Sequence, residues 1–88
     1  MEIRNLRLKN KLGMHARAAA ALVKVAQQFK AEIYLEHKGQ TANGKSILGI
    51  LTLACPQGGI LTVKADGIDA LKAVEALEIL IENKFGED

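Results

Sequence analysis

The chain has 88 residues, a length that predicts a single small domain over residues 1–88. Only three residues are aromatic, so the core must be aliphatic, and the net charge of +2 is too small to indicate a partner. There is no apolar run long enough for a membrane span, no apolar stretch typical of a signal peptide near the N-terminus and only one cysteine. These features exclude an internal disulfide and lead us to expect a cytoplasmic protein without membrane insertion.

The charge is distributed unevenly along the chain. Residues 1–45 carry nine Lys or Arg and three Glu, whereas residues 46–88 carry three Lys and seven Asp or Glu. A basic half attracts phosphate-bearing or acidic partners if its charges cluster on the surface. If the charges are interleaved, they form only a solvated surface, and the sequence leaves both interpretations open.

The first half of the chain predicts a strand, a helix and a hairpin. Imperfect alternation over residues 2–8 indicates a strand, and apolar residues at helical spacing indicate a helix over residues 16–29. The apolar face of this helix consists of Ala18, Leu22, Val25 and Phe29. Alternation over residues 32–36 predicts a second strand, and the Lys38-Gly39 turn leads into a short third strand over residues 40–43.

The second half predicts a short helix, a strand and a last helix. Ser46 can cap the short helix, which ends at Leu53, and residues 60–65 form a strand with one apolar face. Asp69 is expected to cap the last helix. The apolar stripe of that helix consists of Leu71, Val74, Leu77 and Leu80 or Ile81. The order β-α-β-β-α-β-α predicts a two-layer α+β domain, in which helices cover one face of a four-stranded sheet.

The start of the first helix carries the residues best suited to chemistry. His15 and Arg17 lie where unpaired backbone N–H groups and partial positive charge favour an anion. That charge disfavours imidazolium and so favours a neutral, nucleophilic ring. Once the ring is phosphorylated, the N–H groups of Ala16 and Arg17 would face the phosphoryl group, and the guanidinium would pair with its oxygens. The alternatives are an idle histidine and a solvated arginine.

Ser46 is the second candidate site. It is either a helix cap alone or also a site of phosphorylation, since Lys45 precedes it and the apolar residues Ile47 and Leu48 follow it. Apolar residues on an exposed first helical turn are typical of a docking surface.

Two further residues are expected to have no chemical role. His37, near the hairpin turn, is predicted to be an exposed polar residue, and Cys55 a small packed residue. Neither His15 nor His37 has Cys or carboxylate neighbours at ligand spacing, so the sequence predicts no metal site and no cofactor.

Two motifs resemble those of one known family. Residues 13–17, Gly-Met-His-Ala-Arg, resemble the active-site motif of HPr, the histidine-containing phosphocarrier family of the bacterial phosphotransferase system. Residues 45–51, Lys-Ser-Ile-Leu-Gly-Ile-Leu, resemble the regulatory-serine motif of that family. The resemblance implies an open-faced β-sandwich with a four-stranded antiparallel sheet. It also implies a phosphocarrier rather than an enzyme that turns over substrate.

The resemblance extends to partners and site residues. It implies that His15, assisted by Arg17, accepts a phosphoryl group from enzyme I and passes it to a sugar-specific enzyme IIA. It implies that a serine kinase/phosphorylase modifies Ser46, with a transcriptional regulator as a further partner. The positions that match the partner-docking face are Ala20, Ile47, Leu48 and Leu51. A monomer is expected, because that face must stay free.

One position departs from the family pattern. Many members have proline after the arginine, where this chain has Ala18. A nitrogen-related phosphocarrier and a binding-only regulator acting through phosphorylated Ser46 therefore stay open as alternatives. A nucleic-acid-binding module is disfavoured, because three scattered aromatic residues provide no stacking surface on the sheet.

Overall fold

Strands and helices follow one another in the predicted order. In the computed structural model, which describes residues 1–87, the strands are β1 (Glu2–Arg7), β2 (Glu32–His37), β3 (Gln40–Asn43) and β4 (Ile60–Asp66). The helices are α1 (Ala16–Ala26), α2 (Ile47–Thr52) and α3 (Ala70–Glu82), and a short helical turn, Lys84–Gly86, follows α3. The order β-α-β-β-α-β-α is confirmed, and each strand lies within one residue of its predicted bounds.

The four strands form one antiparallel sheet in the order β1-β4-β2-β3. Strand alternation turns Leu35 and Val63, which are opposite each other in the register, toward the helices. Tyr34 and Thr62 have the opposite orientation, because neighbouring residues of a strand point to opposite faces. The predicted α+β architecture, with helices on one face of the sheet, is confirmed.

The core between the two layers is aliphatic, as the composition predicts. Small residues on the inner faces of the helices let the backbone approach the sheet closely. The fully buried alanines of α1 and α3 are Ala18, Ala19, Ala26 and Ala73. The largest fully buried side chains include Leu8, Leu22, Ile33, Leu35, Ile50, Leu61, Leu77 and Ile81.

Helix α1 is three residues shorter than predicted. The N–H of Phe29 donates to Ala26 O, three residues earlier, so the chain forms a tight turn after the helix instead of a further α-helical turn. The N–H groups of Lys30 and Ala31 then donate to the two carboxylate oxygens of Asp69, each at 2.8 Å. These contacts with a residue distant in sequence account for the early end of α1.

The same contacts correct the role predicted for Asp69. The residue does precede α3, but its carboxylate makes no capping hydrogen bond to that helix. It binds the chain before β2 instead, and the N–H of Lys30 is the main cause that lowers the pKa of the Asp69 carboxyl.

Two other predictions about side chains were wrong. Leu71 lies outside the buried face of α3 and is 48% exposed, because Ala70 and Ala73 take the positions that face the core. His37 is not exposed, because the alternation of β2 places it on the inner face after Leu35. Its Nδ1–H donates to Ile60 O at 2.9 Å, which satisfies this buried polar group.

Part of the charge asymmetry is neutralised by pairing between the halves of the chain. Arg4 pairs with Glu78 of α3, and Lys9 pairs with Glu82 of the same helix. The charges around β1 are therefore interleaved, as the second interpretation of the sequence proposed.

Candidate functional site

The loop before α1 packs against the segment that follows α2 and is hydrogen-bonded to it. The backbone of Gly13 has φ +64°, and a Cβ at this position would lie 2.7 Å from Cys55 O. The N–H of Met14 donates to that same carbonyl at 2.9 Å, and the Met14 side chain is buried. This attachment leaves no room for a side chain at Gly13 and holds the residue that follows Met14 at the start of α1.

His15 is the N-cap residue of α1. Its backbone is extended, its C=O accepts the N–H of Ala19, and its Nδ1 accepts the N–H of Arg17 at 3.3 Å. An imidazole nitrogen that accepts a hydrogen bond carries no proton. Nδ1 therefore presents a lone pair at the positive end of the helix, as a nucleophile for an anionic phosphoryl group requires. About a quarter of the side chain is exposed, so the ring is accessible to a partner.

The other ring nitrogen of His15 contacts the C-terminal end of the chain. Nε2 lies 2.5 Å from Oε2 of Glu87. The second carboxylate oxygen, Oε1, accepts a hydrogen bond from Nδ2 of the buried Asn10 at 2.9 Å. The pKa of Glu87 is lowered chiefly by this bond from Asn10, with smaller contributions from His15 and the positive charge of Arg17. The carboxylate is therefore ionised at neutral pH.

Sequence reasoning missed both Asn10 and Glu87. An asparagine three residues before a loop glycine is a recognisable turn signal, and Asn10 Nδ2 does donate to Gly13 O at 2.8 Å. Glu87 gives no such signal, because its contact depends on how the chain turns after α3.

Arg17 lies in the first turn of α1 with an exposed side chain. Within residues 1–87 its guanidinium forms no ion pair with a carboxylate. The backbone N–H groups of Ala16 and Arg17 belong to the first turn, which has no intrahelical acceptors for them. The charge and the backbone donors predicted around His15 are thus brought together.

Ser46 is the N-cap residue of α2, as predicted. Its Oγ accepts the N–H of Gly49 at 3.1 Å. The preceding Lys45 reaches the segment that follows α1, where its Nζ donates to Phe29 O at 2.8 Å. Because α2 packs against α1, the surface next to Ser46 is continuous with the helix that carries His15.

The residues matched to a docking face differ in exposure. Leu48 is 77% exposed and Ile47 is 40% exposed, and Ala20 lies on the exposed side of α1. Leu51 is partly buried and packs against the core. The first turn of α2 therefore provides an exposed apolar surface, to which Leu51 contributes only its outer part.

Cys55 is a buried free thiol, as predicted. Burial raises its pKa, so the protonated form is favoured and the thiol is a poor nucleophile. In the described part of the chain, no three His, Cys, Asp or Glu residues are grouped so that they could hold a metal ion. None of the helices in residues 1–87 is both long and apolar enough to cross a membrane.

Comparison with known proteins identifies the family. A family model described as "PTS HPr component phosphorylation site" matches residues 3–83. A phosphocarrier protein HPr of Xylella fastidiosa is 46% identical over 83 residues, which cover 94% of this chain and 93% of that protein. The chain belongs to the HPr family. Both HPr-like motifs, residues 13–17 and 45–51, lie within the matched segment.

Solved HPr structures share the whole fold. The crystal structure of HPr from Thermoanaerobacter tengcongensis is 42% identical and has a TM-score of 0.96, covering 100% of this chain and 99% of that one. HPr from Bacillus anthracis is 39% identical with a TM-score of 0.87, covering 91% of this chain and 95% of that one. The predicted family and fold are confirmed, and membership supports a phosphocarrier role in the phosphotransferase system.

Proposed function

We propose that this HPr-family chain accepts a phosphoryl group on Nδ1 of His15 from phosphorylated enzyme I and passes it to a sugar-specific enzyme IIA. The observation that carries this proposal is the orientation of the imidazole. Its Nδ1 accepts the Arg17 N–H at the start of α1, so the unprotonated nitrogen lies where an anion is stabilised.

The transfer needs no proton to leave the ring. The Arg17 N–H leaves Nδ1 of His15, and the lone pair it occupied forms the bond to phosphorus. The bond from phosphorus to the donor breaks at the same time, and its electron pair stays with the donor. The phosphoryl oxygens then face the N–H groups of Ala16 and Arg17, and the exposed Arg17 guanidinium offsets their charge. Because the product is a covalent phosphohistidine passed to another protein, the chain acts as a carrier and not as an enzyme.

Partner docking is assigned to the surface beside His15. The exposed apolar residues Ile47 and Leu48, with Ala20 and the outer part of Leu51, provide area that a partner can bury. Both enzyme I and enzyme IIA must reach the same nitrogen, so they use this surface in turn. We therefore expect a monomer, because the docking surface must stay free for both partners. We also expect a single domain that works in the cytoplasm.

Ser46 is proposed as the regulatory phosphorylation site. A phosphoryl group adds about −1.5 to −2 charges at pH 7, and the N-terminus of α2 stabilises negative charge. The modification should therefore leave α2 folded. It would act on the surface, because the new charge lies next to Ile47 and Leu48. An acidic partner would be repelled and a basic one recruited, which allows a serine kinase/phosphorylase to redirect the carrier toward a transcriptional regulator.

Phosphorylation by enzyme I tests the proposal. The chain is incubated with purified enzyme I and radiolabelled phosphoenolpyruvate, and protein-bound label is measured after acid and after base treatment. We expect base-stable, acid-labile label that is lost in His15→Ala and retained in the control His37→Gln. Absence of label in the wild type, or label that persists in His15→Ala, would overturn the proposal. The first result would favour a regulator that acts through phosphorylated Ser46 alone, whereas acid-labile label in His15→Ala would place the phosphoryl group on another histidine.

A further inference from the structure

Glu87 contacts the reacting ring although it lies outside residues 3–83, the segment that matches the family model. We propose that Glu87 is a positioning residue whose carboxylate holds His15 in the Nε2–H tautomer and stabilises the positive charge that the ring acquires during phosphoryl transfer. This inference rests on the proposed function, because it assigns Glu87 a role in the same transfer.

The surroundings of Glu87 require two acceptor oxygens. Nδ2 of Asn10 donates to Oε1, and Nε2 of His15 approaches Oε2. Reversing the Asn10 amide would place its oxygen against both Gly13 O and the carboxylate, so this buried side chain is held as a donor. A carboxylate accepts from both sides, whereas an amide at position 87 offers only one oxygen and must direct an NH2 group at the other donor.

The tautomer of His15 determines which nitrogen can attack. When Nε2 keeps its proton and donates to Glu87, Nδ1 is left with the lone pair that meets the Arg17 N–H. A carboxylate that fixes the imidazole tautomer and stabilises its charged form has the same role as the aspartate of a hydrolase triad. Without it, the two tautomers would compete, and only one of them presents Nδ1 as a nucleophile.

The charge of the ring changes during the transfer. Nδ1 forms its bond to phosphorus while Nε2 retains its proton, so the imidazole becomes positively charged. Among residues 1–87, the charged side chains near it are Arg17 from α1, which disfavours that charge, and Glu87 from the C-terminal segment, which favours it. Glu87 lies at Nε2, across the ring from the phosphoryl position, so it stabilises the ring with limited repulsion of the phosphoryl oxygens.

The backbone after α3 brings Glu87 back to α1. Lys84, Phe85 and Gly86 all have positive φ, at 57°, 56° and 78°, which turns the chain tightly. The N–H of Glu87 donates to Lys84 O at 2.9 Å, and Phe85 packs against the core. This turn, and not the side chain of Glu87 alone, maintains the contact with His15.

Imidazole 15N NMR of the full-length chain tests the inference together with transfer kinetics. The variant is Glu87→Gln, and the matched control is Glu82→Gln, which removes a carboxylate that pairs with Lys9. We expect the 15N shifts of unphosphorylated wild type to report Nε2–H for the neutral His15 ring, and Glu87→Gln to show increased Nδ1–H. We expect phosphorylation by enzyme I to slow by roughly three- to tenfold in Glu87→Gln, the scale of one hydrogen bond to a charged group. Glu82→Gln should match the wild type in both measurements.

The two measurements separate failure of this inference from failure of the proposed function. If the wild type accepts no phosphoryl group, the proposed function fails, and the catalytic part of this inference fails with it, whatever the tautomer measurement shows. If the wild type is phosphorylated but Glu87→Gln keeps both its tautomer and its rate, Glu87 is not a positioning residue. A slower rate with an unchanged tautomer would also overturn the positioning role.

Discussion

Gly13 allows a direct test of how the loop before α1 is held. Gly13 and Gly39 both have positive φ but differ in their surroundings. At Gly13 a Cβ would lie 2.7 Å from Cys55 O and 2.9 Å from Pro56 Cα, whereas at Gly39 it would meet nothing within 4 Å. Alanine at either position is strained by the left-handed backbone, but only at Gly13 must it also displace neighbouring backbone. Gly39→Ala is therefore the matched control for Gly13→Ala.

The expected magnitudes follow from these two terms. The left-handed conformation costs an L-residue about 1–2 kcal/mol, which is the full expected loss in the free energy of unfolding for Gly39→Ala. Forcing a group into a filled space typically costs a further ~1–3 kcal/mol, so Gly13→Ala should lose about 2–5 kcal/mol. At roughly 4–8 °C per kcal/mol for a domain of this size, Gly13→Ala should melt at least ~4 °C below Gly39→Ala.

The functional consequence is measured on the same preparations. The N–H of Met14 donates to Cys55 O, the same atom that a Cβ at Gly13 would contact too closely. Displacement of this loop should therefore also move His15, the residue that follows Met14. Melting curves by circular dichroism give stability, and phosphorylation by enzyme I, assayed well below the melting temperature, gives function. We expect Gly13→Ala to be slowed roughly ten- to a hundredfold, the scale of a misplacement near 1 Å, and Gly39→Ala to match the wild type. Equal losses of stability in both variants, or a wild-type rate for Gly13→Ala, would refute this reasoning.

Substitutions at three further positions test other parts of the site and fold. Arg17→Ala should slow His15 phosphorylation roughly ten- to a thousandfold with little change in Tm, because the side chain is exposed; an unchanged rate would refute its role. Ser46→Asp should slow the same reaction without lowering Tm, whereas Ser46→Ala should lose about 1 kcal/mol of stability with the cap and keep its rate. A rate loss in Ser46→Asp explained by unfolding would contradict the docking account. Asp69→Asn should have a lower Tm than the wild type at pH 7. Because folding lowers the pKa of the Asp69 carboxyl, protonation removes the stability that the carboxylate contributes, so the difference in Tm should narrow below about pH 4. A difference in Tm that is constant with pH in thermal melts would contradict this.

Features set by local chemistry could be predicted from the sequence. Alternation predicted β2 and β4, and the hydroxyl of Ser46 predicted the start of α2, since a cap bonds to backbone only three residues away. The position of His15 and Arg17 at the start of α1 could be predicted because a helix N-terminus is itself a local feature. The alternation of β2 also predicts that His37 lies on the inner face of the sheet. We instead predicted an exposed residue, because His37 is polar and close to the hairpin turn, and that prediction was wrong.

Features that depend on contacts between distant segments could not be predicted. The end of α1 and the role of Asp69 are linked by the hydrogen bonds that Asp69 accepts from Lys30 and Ala31. These partners precede Asp69 by 39 and 38 positions in the sequence. The contact of Glu87 with His15 spans 72 positions and depends on the turn after α3. Neither periodicity nor propensity predicts such contacts, because these contacts depend on how distant segments pack in the completed fold.

We propose above all that the phosphoryl group is carried on Nδ1 of His15. Phosphorus–nitrogen coupling, measured by NMR on 15N-histidine-labelled protein phosphorylated by enzyme I, identifies the bonded atom directly. We expect one phosphoramidate signal, coupled to Nδ1 of His15. A phosphoryl group bonded to Nε2 of His15, to His37 or to the hydroxyl of Ser46 after this reaction would contradict it.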